Sequence, residues 1–180
     1  MSTIKVKDKV FEISIPASEI AQTVQKMADE ISRDYTGKNP LFIAILNGSF
    51  VFAADLIRKV SIPCQISFVK LSSYSGTAST ENVKELIGLT EDIRGRHVVI
   101  IEDIVDTGIT LDRFLNNLEE TGAASIKLAC FTFKKEAFQK SFRIDYLGMI
   151  IPNEFIVGYG LDYDGFGRNL PDIYKITNYK

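Results

Sequence analysis

The stretch Val98–Leu111 reads VVIIEDIVDTGITL, and the fold turns on it. Val98–Ile101 is apolar on both faces, the pattern of a strand buried within a sheet that is covered on both sides. The run ends in adjacent carboxylates, Glu102 and Asp103, and a third, Asp106, follows. Thr107-Gly108-Ile109-Thr110 then leads into a helix whose apolar stripe is Leu111, Phe114, Leu115 and Leu118. Strand, glycine turn and helix start, in that order, make a phosphate cradle. Gly108 permits unusual backbone angles and close approach. Successive backbone N–H groups and the helix N-terminus bind a phosphate without a cationic side chain. Thr107 and Thr110 add hydroxyl donors. The carboxylates would repel a bare phosphate, but they fit if a sugar lies between. They accept hydrogen bonds from a cis-diol and hold magnesium directly or through water.

Outward from this stretch, strand and helix patterns alternate. Val10–Ile15 places Phe11, Ile13 and Ile15 on one face of a half-buried strand that Pro16 ends. Ile20, Val24, Met27, Ala28 and Ile31 recur at helical spacing, with Ser18 as the candidate N-cap. Thr36–Pro40 is a turn cluster. Leu41–Leu46 is a strand broken by Asn47-Gly48-Ser49, and Phe50, Ala54 and Ile57 mark the next helix. Cys64–Leu71 is a strand, Ser72–Asn82 a polar loop, and Val83–Leu89 the far arm of a β-ribbon. Arg94-Gly95-Arg96 is a turn, Gly122 ends the helix after the cradle, and Ser125–Phe133 and Tyr146–Ile151 are further strands. The pattern predicts an α/β protein with a mostly parallel sheet flanked by helices. Such sheets bind ligands beyond the carboxyl ends of their strands. That directs attention to Asn47-Gly48, Glu102–Thr110, Lys134 and the segment after Ile151.

Composition narrows the chemistry. A chain of 180 residues, 46% hydrophobic and 24% charged, is one ordinary domain with no need of a disulfide or metal staple. Cys64 and Cys130 lie in apolar runs and read as a reduced, buried pair suited to the cytosol. The net charge of −2, without blocks of like charge, disfavours a general nucleic-acid or anionic-membrane surface. The N-terminus has no apolar signal core, and no run approaches a membrane span. A single histidine, His97, rules out a histidine-rich metal or catalytic centre, so a divalent metal would need oxygen ligands. His97, between a turn and a strand, reads as structural or exposed. The Walker phosphate loop and the dinucleotide glycine pattern are both absent. A receiver domain shares a strand-end acidic pair but needs no threonine–glycine cradle.

EDIVDTGIT resembles the phosphoribosyl-diphosphate signature of the type I phosphoribosyltransferases. Three further segments resemble the hypoxanthine-guanine branch of that family. KLSSYSGTAST (70–80) is similar to its mobile lid, whose serine–tyrosine pair matches Ser73 and Tyr74. FTFKK ends a strand with Lys134, which by resemblance donates to the 6-oxo group of a purine. IIPNEFIVGYGLDYDGFGRNLPDIY resembles the C-terminal segment of the family. There Phe155 stacks on the purine, Ile156 offers backbone groups to the base edge, Asp162 meets a metal ion and Arg168 binds diphosphate. One departure stands out: Asn47 precedes Gly48 where the best-known members carry lysine.

The resemblance covers about residues 41–174 and implies a type I phosphoribosyltransferase fold. The chain would be one domain (1–180), with a core of about 36–151 and a small hood from about 1–35 and 152–180. It implies a cytoplasmic, magnesium-dependent purine-salvage enzyme, a homodimer or homotetramer. Such an enzyme transfers the phosphoribosyl group of 5-phospho-α-D-ribose 1-diphosphate to hypoxanthine or guanine. The implied assignments are Asp106 as proton acceptor and Glu102, Asp103 and Asp106–Thr110 (with Thr107, Gly108 and Ile109) for phosphoribosyl. Asn47, Gly48, Ser73, Tyr74 and Arg168 take diphosphate, and Ile104, Lys134, Phe155, Ile156 and Asp162 the purine. Glu102, Asp103 and Asp162 take Mg2+. Another acceptor such as xanthine, or a non-catalytic nucleotide- or RNA-binding regulator on the same fold, remain the alternatives.

Overall fold

A computed structural model describes residues 3–72 and 84–177. The strands and helices follow in the order β1 (Thr3–Val6), β2 (Lys9–Ile15), α1 (Ala17–Asp34), β3 (Leu41–Leu46), α2 (Phe50–Lys59), β4 (Gln65–Ser72), β5 (Lys84–Ile87), β6 (His97–Val105), α3 (Ile109–Glu119), β7 (Ser125–Phe133), β8 (Tyr146–Ile150), β9 (Ile156–Val157) and β10 (Ile173–Ile176). They form two sheets. The larger has the order β5-β4-β3-β6-β7-β8, parallel from β4 to β8 with β5 antiparallel at its edge. The smaller, β1-β2-β10-β9, is antiparallel and joins the two ends of the chain as a hood.

The larger sheet buries both faces, as its continuous apolar runs predict. On one face Phe42, Ala44, Val99, Ile101, Ala129 and Phe131 meet α1 and α2. On the other Leu41, Ile43, Ile100, Leu128 and Cys130 meet Leu111, Phe114 and Leu118 of α3. Because β6 is central, its carboxyl end and the start of α3 lie at the middle of one sheet edge. His97, at the other end of β6, sits 2.8 Å from Ser125 Oγ and edge-on to Tyr35, a structural role.

Several local expectations need correction. Helix α1, expected in the hood, packs on the larger sheet through Ile20, Val24, Met27 and Ile31. Its cap is not Ser18. Extended Pro16 ends the strand, its carbonyl accepts from the Glu19 and Ile20 N–H groups, and Ser18 lies exposed in the first turn. The Ala17 N–H instead donates to Asp172 Oδ1 at 2.7 Å, an acceptor from the far end of the chain. Helix α2 buries Phe52, Ala53 and Leu56, whereas Phe50 and Ala54 are exposed. Both stripes have helical spacing, and the sheet selects between them. Ile13 is exposed because β10 pairs with β2 through a bulge at that level. Cys130 is buried but Cys64 only half so, and both thiols are free.

Asp172 is thus the tie between the hood and α1. It also accepts from the Tyr174 hydroxyl at 3.1 Å. Replacing it with alanine should cost about 1–2 kcal/mol in a denaturant titration, the value of a lost N-terminal cap. Unchanged stability would contradict this role.

Candidate active site

The cradle forms where β6 runs out. Gly108 adopts φ +78°, the left-handed region, and caps α3 without a side chain to bond the helix start. The only local side-chain tether described there is a long one, Ile109 N–H to Thr107 Oγ1 at 3.4 Å. The N–H groups of the first turn therefore remain available, at the positive end of the helix dipole, for an anion. Glu102, Ile104, Asp106 and the Thr107–Thr110 turn line a cavity of about 160 Å³ here.

Beneath it sits the acid pair. Asp103 is 8% exposed. Glu102 Oε2 is buried with no hydrogen-bond partner among the described residues. Burial, then the neighbouring Asp103 charge, pushes Glu102 well above the usual carboxylate range. Burial likewise pushes Asp103 up to about 6, against the opposing pull of backbone N–H groups and of Arg168. A buried carboxylate oxygen without a donor is costly, and a cation or a hydroxyl would satisfy it.

The described residues expected to take diphosphate pack around Asp103. The Leu46–Asn47 peptide is cis, and Gly48 lies directly against the Asp103 carboxylate, where any side chain would collide. Gly160, at φ +98°, packs equally closely on the Gly48 carbonyl. Arg168 then donates to the Gly160 carbonyl at 2.7 Å and pairs with Asp162 at 2.7 Å. The fold thus brings Asn47, Gly48 and Arg168 around Asp103. Asp162, expected at a metal, is engaged by Arg168 and by the Gly165 N–H. Among the described residues no three acidic, histidine or cysteine side chains converge as a metal cage.

On the other side of the cradle, Lys134 is 8% exposed, and its Nζ lies 3.1 Å from Oδ2 of the half-exposed Asp106. The two residues expected to read and deprotonate the base therefore touch. Ile104 is half-buried against the core. Phe155 is 44% exposed, edge-on to Tyr163 at 5.8 Å, with Lys9 Nζ 5.6 Å from its ring centroid. Ile156 is buried in β9 opposite Lys175. Ser73 and Tyr74 lie outside the described residues.

Sequence reasoning missed Phe138 and Phe142, whose rings lie against Gly108. Their signal was a pair of phenylalanines four apart in a polar segment with no helical or strand pattern. It also missed Asp55, which accepts from the buried Tyr159 hydroxyl at 2.9 Å.

Similarity to known proteins follows this geometry. Residues 16–164 match the phosphoribosyl transferase domain. The chain is 39% identical over 169 residues to the hypoxanthine-guanine phosphoribosyltransferase of Streptococcus pneumoniae, covering 93% of this chain and 94% of that protein. It is 35% identical over 175 residues to the hypoxanthine-guanine-xanthine phosphoribosyltransferase of Tritrichomonas foetus, covering 96% and 95%. A crystal structure of a hypoxanthine phosphoribosyltransferase from Staphylococcus aureus superposes with a TM-score of 0.88 at 34% identity, over 92% of this chain and 91% of that one. A strand-end acid pair, an uncapped glycine turn and a lysine across from its aspartate thus coincide with a match over most of the length, and the chain belongs to the phosphoribosyl transferase family.

Proposed function

We propose that this chain transfers the phosphoribosyl group of 5-phospho-α-D-ribose 1-diphosphate to hypoxanthine and guanine, releasing diphosphate and a purine nucleoside 5′-monophosphate. The observation that carries the reading is the contact between Lys134 and Asp106 beside the uncapped Thr107–Thr110 turn. It supports a reading in which Lys134 reads the 6-oxo group and Asp106 takes a proton, beside a turn that takes the phosphate. The names of the relatives support the purine acceptor. The whole chain, residues 1–180, is the proposed catalytic unit, cytoplasmic and a homodimer or homotetramer. Among the described residues no helix is long and apolar enough to cross a membrane.

In this mechanism the turn N–H groups hold the 5′-phosphate, and Glu102 and Asp103 accept from the ribose hydroxyls. Asn47, Gly48, Arg168 and the lid residues Ser73 and Tyr74 engage the diphosphate. Phe155 stacks on the purine, Ile156 offers its backbone to the base edge, and Ile104 lines the same subsite. Lys134 donates to the 6-oxo oxygen, which the amino group of adenine cannot accept. Asp106 takes the proton from nitrogen 7 as the bond to the anomeric carbon forms. That carbon is oxocarbenium-like in the transition state, so excluding water matters.

The donor set fits magnesium. That ion is held by one or two carboxylates together with substrate phosphates and water, and Glu102 offers a buried oxygen with no partner. Glu102 and Asp103 would hold it, and Asp162, paired with Arg168, would reach it only through water. When bound, it neutralises charge on the departing diphosphate.

Magnesium-dependent diphosphate release should occur with hypoxanthine and guanine and not with adenine, with xanthine as the fourth arm. Release with adenine alone, or RNA retention with no release, would overturn the reading. Lys134→Ala should flatten the base preference in the same panel. Asp106→Asn should cut kcat by about 10²-fold while KM for the phosphoribosyl donor moves little, and near-normal turnover would remove Asp106 from its role.

Glu102→Gln should stabilise the ligand-free protein more at pH 8 than at pH 4, by about 1 kcal/mol, because the fold penalises the charged form of this buried carboxyl. The sign follows from the raised pKa. The charged form is penalised only in the folded state, so the gain is full above that raised value and vanishes as pH falls to the ordinary glutamate range. The same variant should weaken magnesium-dependent donor binding. A gain no larger at pH 8 than at pH 4 would contradict the assignment.

A further inference from the structure

A glycine turn with no capping side chain needs support from outside itself if its N–H groups are to stay aimed. That support comes from residues 134–142, which leave β7 and fold back over the cradle without forming a helix or strand. The backbone is laced at two points: the Lys134 N–H donates to the Val105 carbonyl at 2.9 Å, and the Gln139 N–H to the Thr107 carbonyl at 3.1 Å. Between them the half-buried Phe138 ring covers Gly108. A Cβ placed on Gly108 would lie 2.6 Å from Phe138 Cε2 and 3.1 Å from Phe142 Cε1. Phe138 is itself wedged edge-on between Phe133 at 5.1 Å and Phe142 at 5.0 Å. Beyond it, Lys140 Nζ reaches Asp112 Oδ2, in the first turn of α3, at 3.1 Å.

We propose that Phe138 is a positioning residue for the phosphoribosyl donor: its ring presses on Gly108 and holds the Thr107–Thr110 turn in the form that presents its N–H groups to the 5′-phosphate. The inference rests on the reading that this turn takes the phosphate. Glycine has a wide choice of backbone angles, so without the ring the turn spreads over conformers of which only some converge on an anion. Binding must then supply the ordering. Position 108 is also constrained twice, by its positive φ and by the ring. The Lys134–Asp106 and Lys140–Asp112 pairs pin the segment at its two ends, one in the purine subsite and one on the cradle helix.

The test is steady-state kinetics of the full chain with magnesium, varying the donor and hypoxanthine separately, for Phe138→Ala, Phe138→Leu, Lys140→Met and Thr110→Val. For Phe138→Ala, KM for the donor should rise about tenfold, with kcat and KM for hypoxanthine within about twofold. Phe138→Leu should recover most of the loss. Lys140→Met, which leaves the ring in place, should raise donor KM about two- to threefold. This arm still decides the matter if the alanine variant does not fold. Unchanged donor KM in Phe138→Ala, or an equal decline in all three parameters, overturns the proposal. So does an unchanged Lys140→Met if that variant alone can be measured. Thr110→Val separates the two readings. If it and Phe138→Ala both leave donor KM unchanged, the cradle assignment itself fails. If it raises donor KM while Phe138→Ala does not, only the role of Phe138 fails.

Discussion

Two adjacent carboxylates at the carboxyl end of the central strand, one on each face of the sheet, set the terms for everything around them. The sheet buries Asp103 and half-buries Glu102, and among the described residues nothing donates to the buried Glu102 Oε2. Burial raises the affinity of both for protons. Such a pair costs stability in the free protein. It is useful if what arrives brings the missing partners, namely sugar hydroxyls and a divalent cation. The close approach of Gly48 to Asp103 follows from the same crowding, because no larger residue could stand there.

From that pair the rest of the site extends by contact. Gly48 bears on Gly160, Gly160 receives Arg168, and Arg168 holds Asp162, so the C-terminal segment is registered against the Asn47-Gly48 turn without a covalent link. The smaller sheet fixes that segment in turn, and Asp172 fastens it to the start of α1. On the opposite side the segment after β7 joins Lys134 to Asp106 and lays Phe138 over Gly108. A slightly acidic chain can in this way serve a highly phosphorylated ligand. Its cations are few and placed, and its backbone N–H groups carry much of the work.

The architecture was legible in the sequence where one physical pattern dominated. Leu41–Leu46, Val98–Ile101 and Leu128–Phe131 are apolar on both faces, so the parallel sheet, the glycine turn and the acid pair could be read directly. Legibility failed where a distant partner made the choice. Ser18 has the chemistry of a cap, but Asp172 occupies that position. Two apolar stripes run along α2, and only packing selects Phe52 and Leu56 over Phe50 and Ala54. Asp162 reads as an open carboxylate until Arg168 closes on it. Phe138 had no periodic signal at all, because its role depends on which glycine lies under it.

The central claim is that donor affinity comes from a backbone cradle and an acid pair satisfied by magnesium, not from a diffuse basic surface. It is tested most directly by calorimetric titration of 5-phospho-α-D-ribose 1-diphosphate with magnesium and with a chelator, each across a range of sodium chloride concentrations. The account predicts a loss of at least about tenfold in affinity on chelation and a shallow dependence on salt when magnesium is present. Binding that is indifferent to chelation and falls steeply with salt would contradict it.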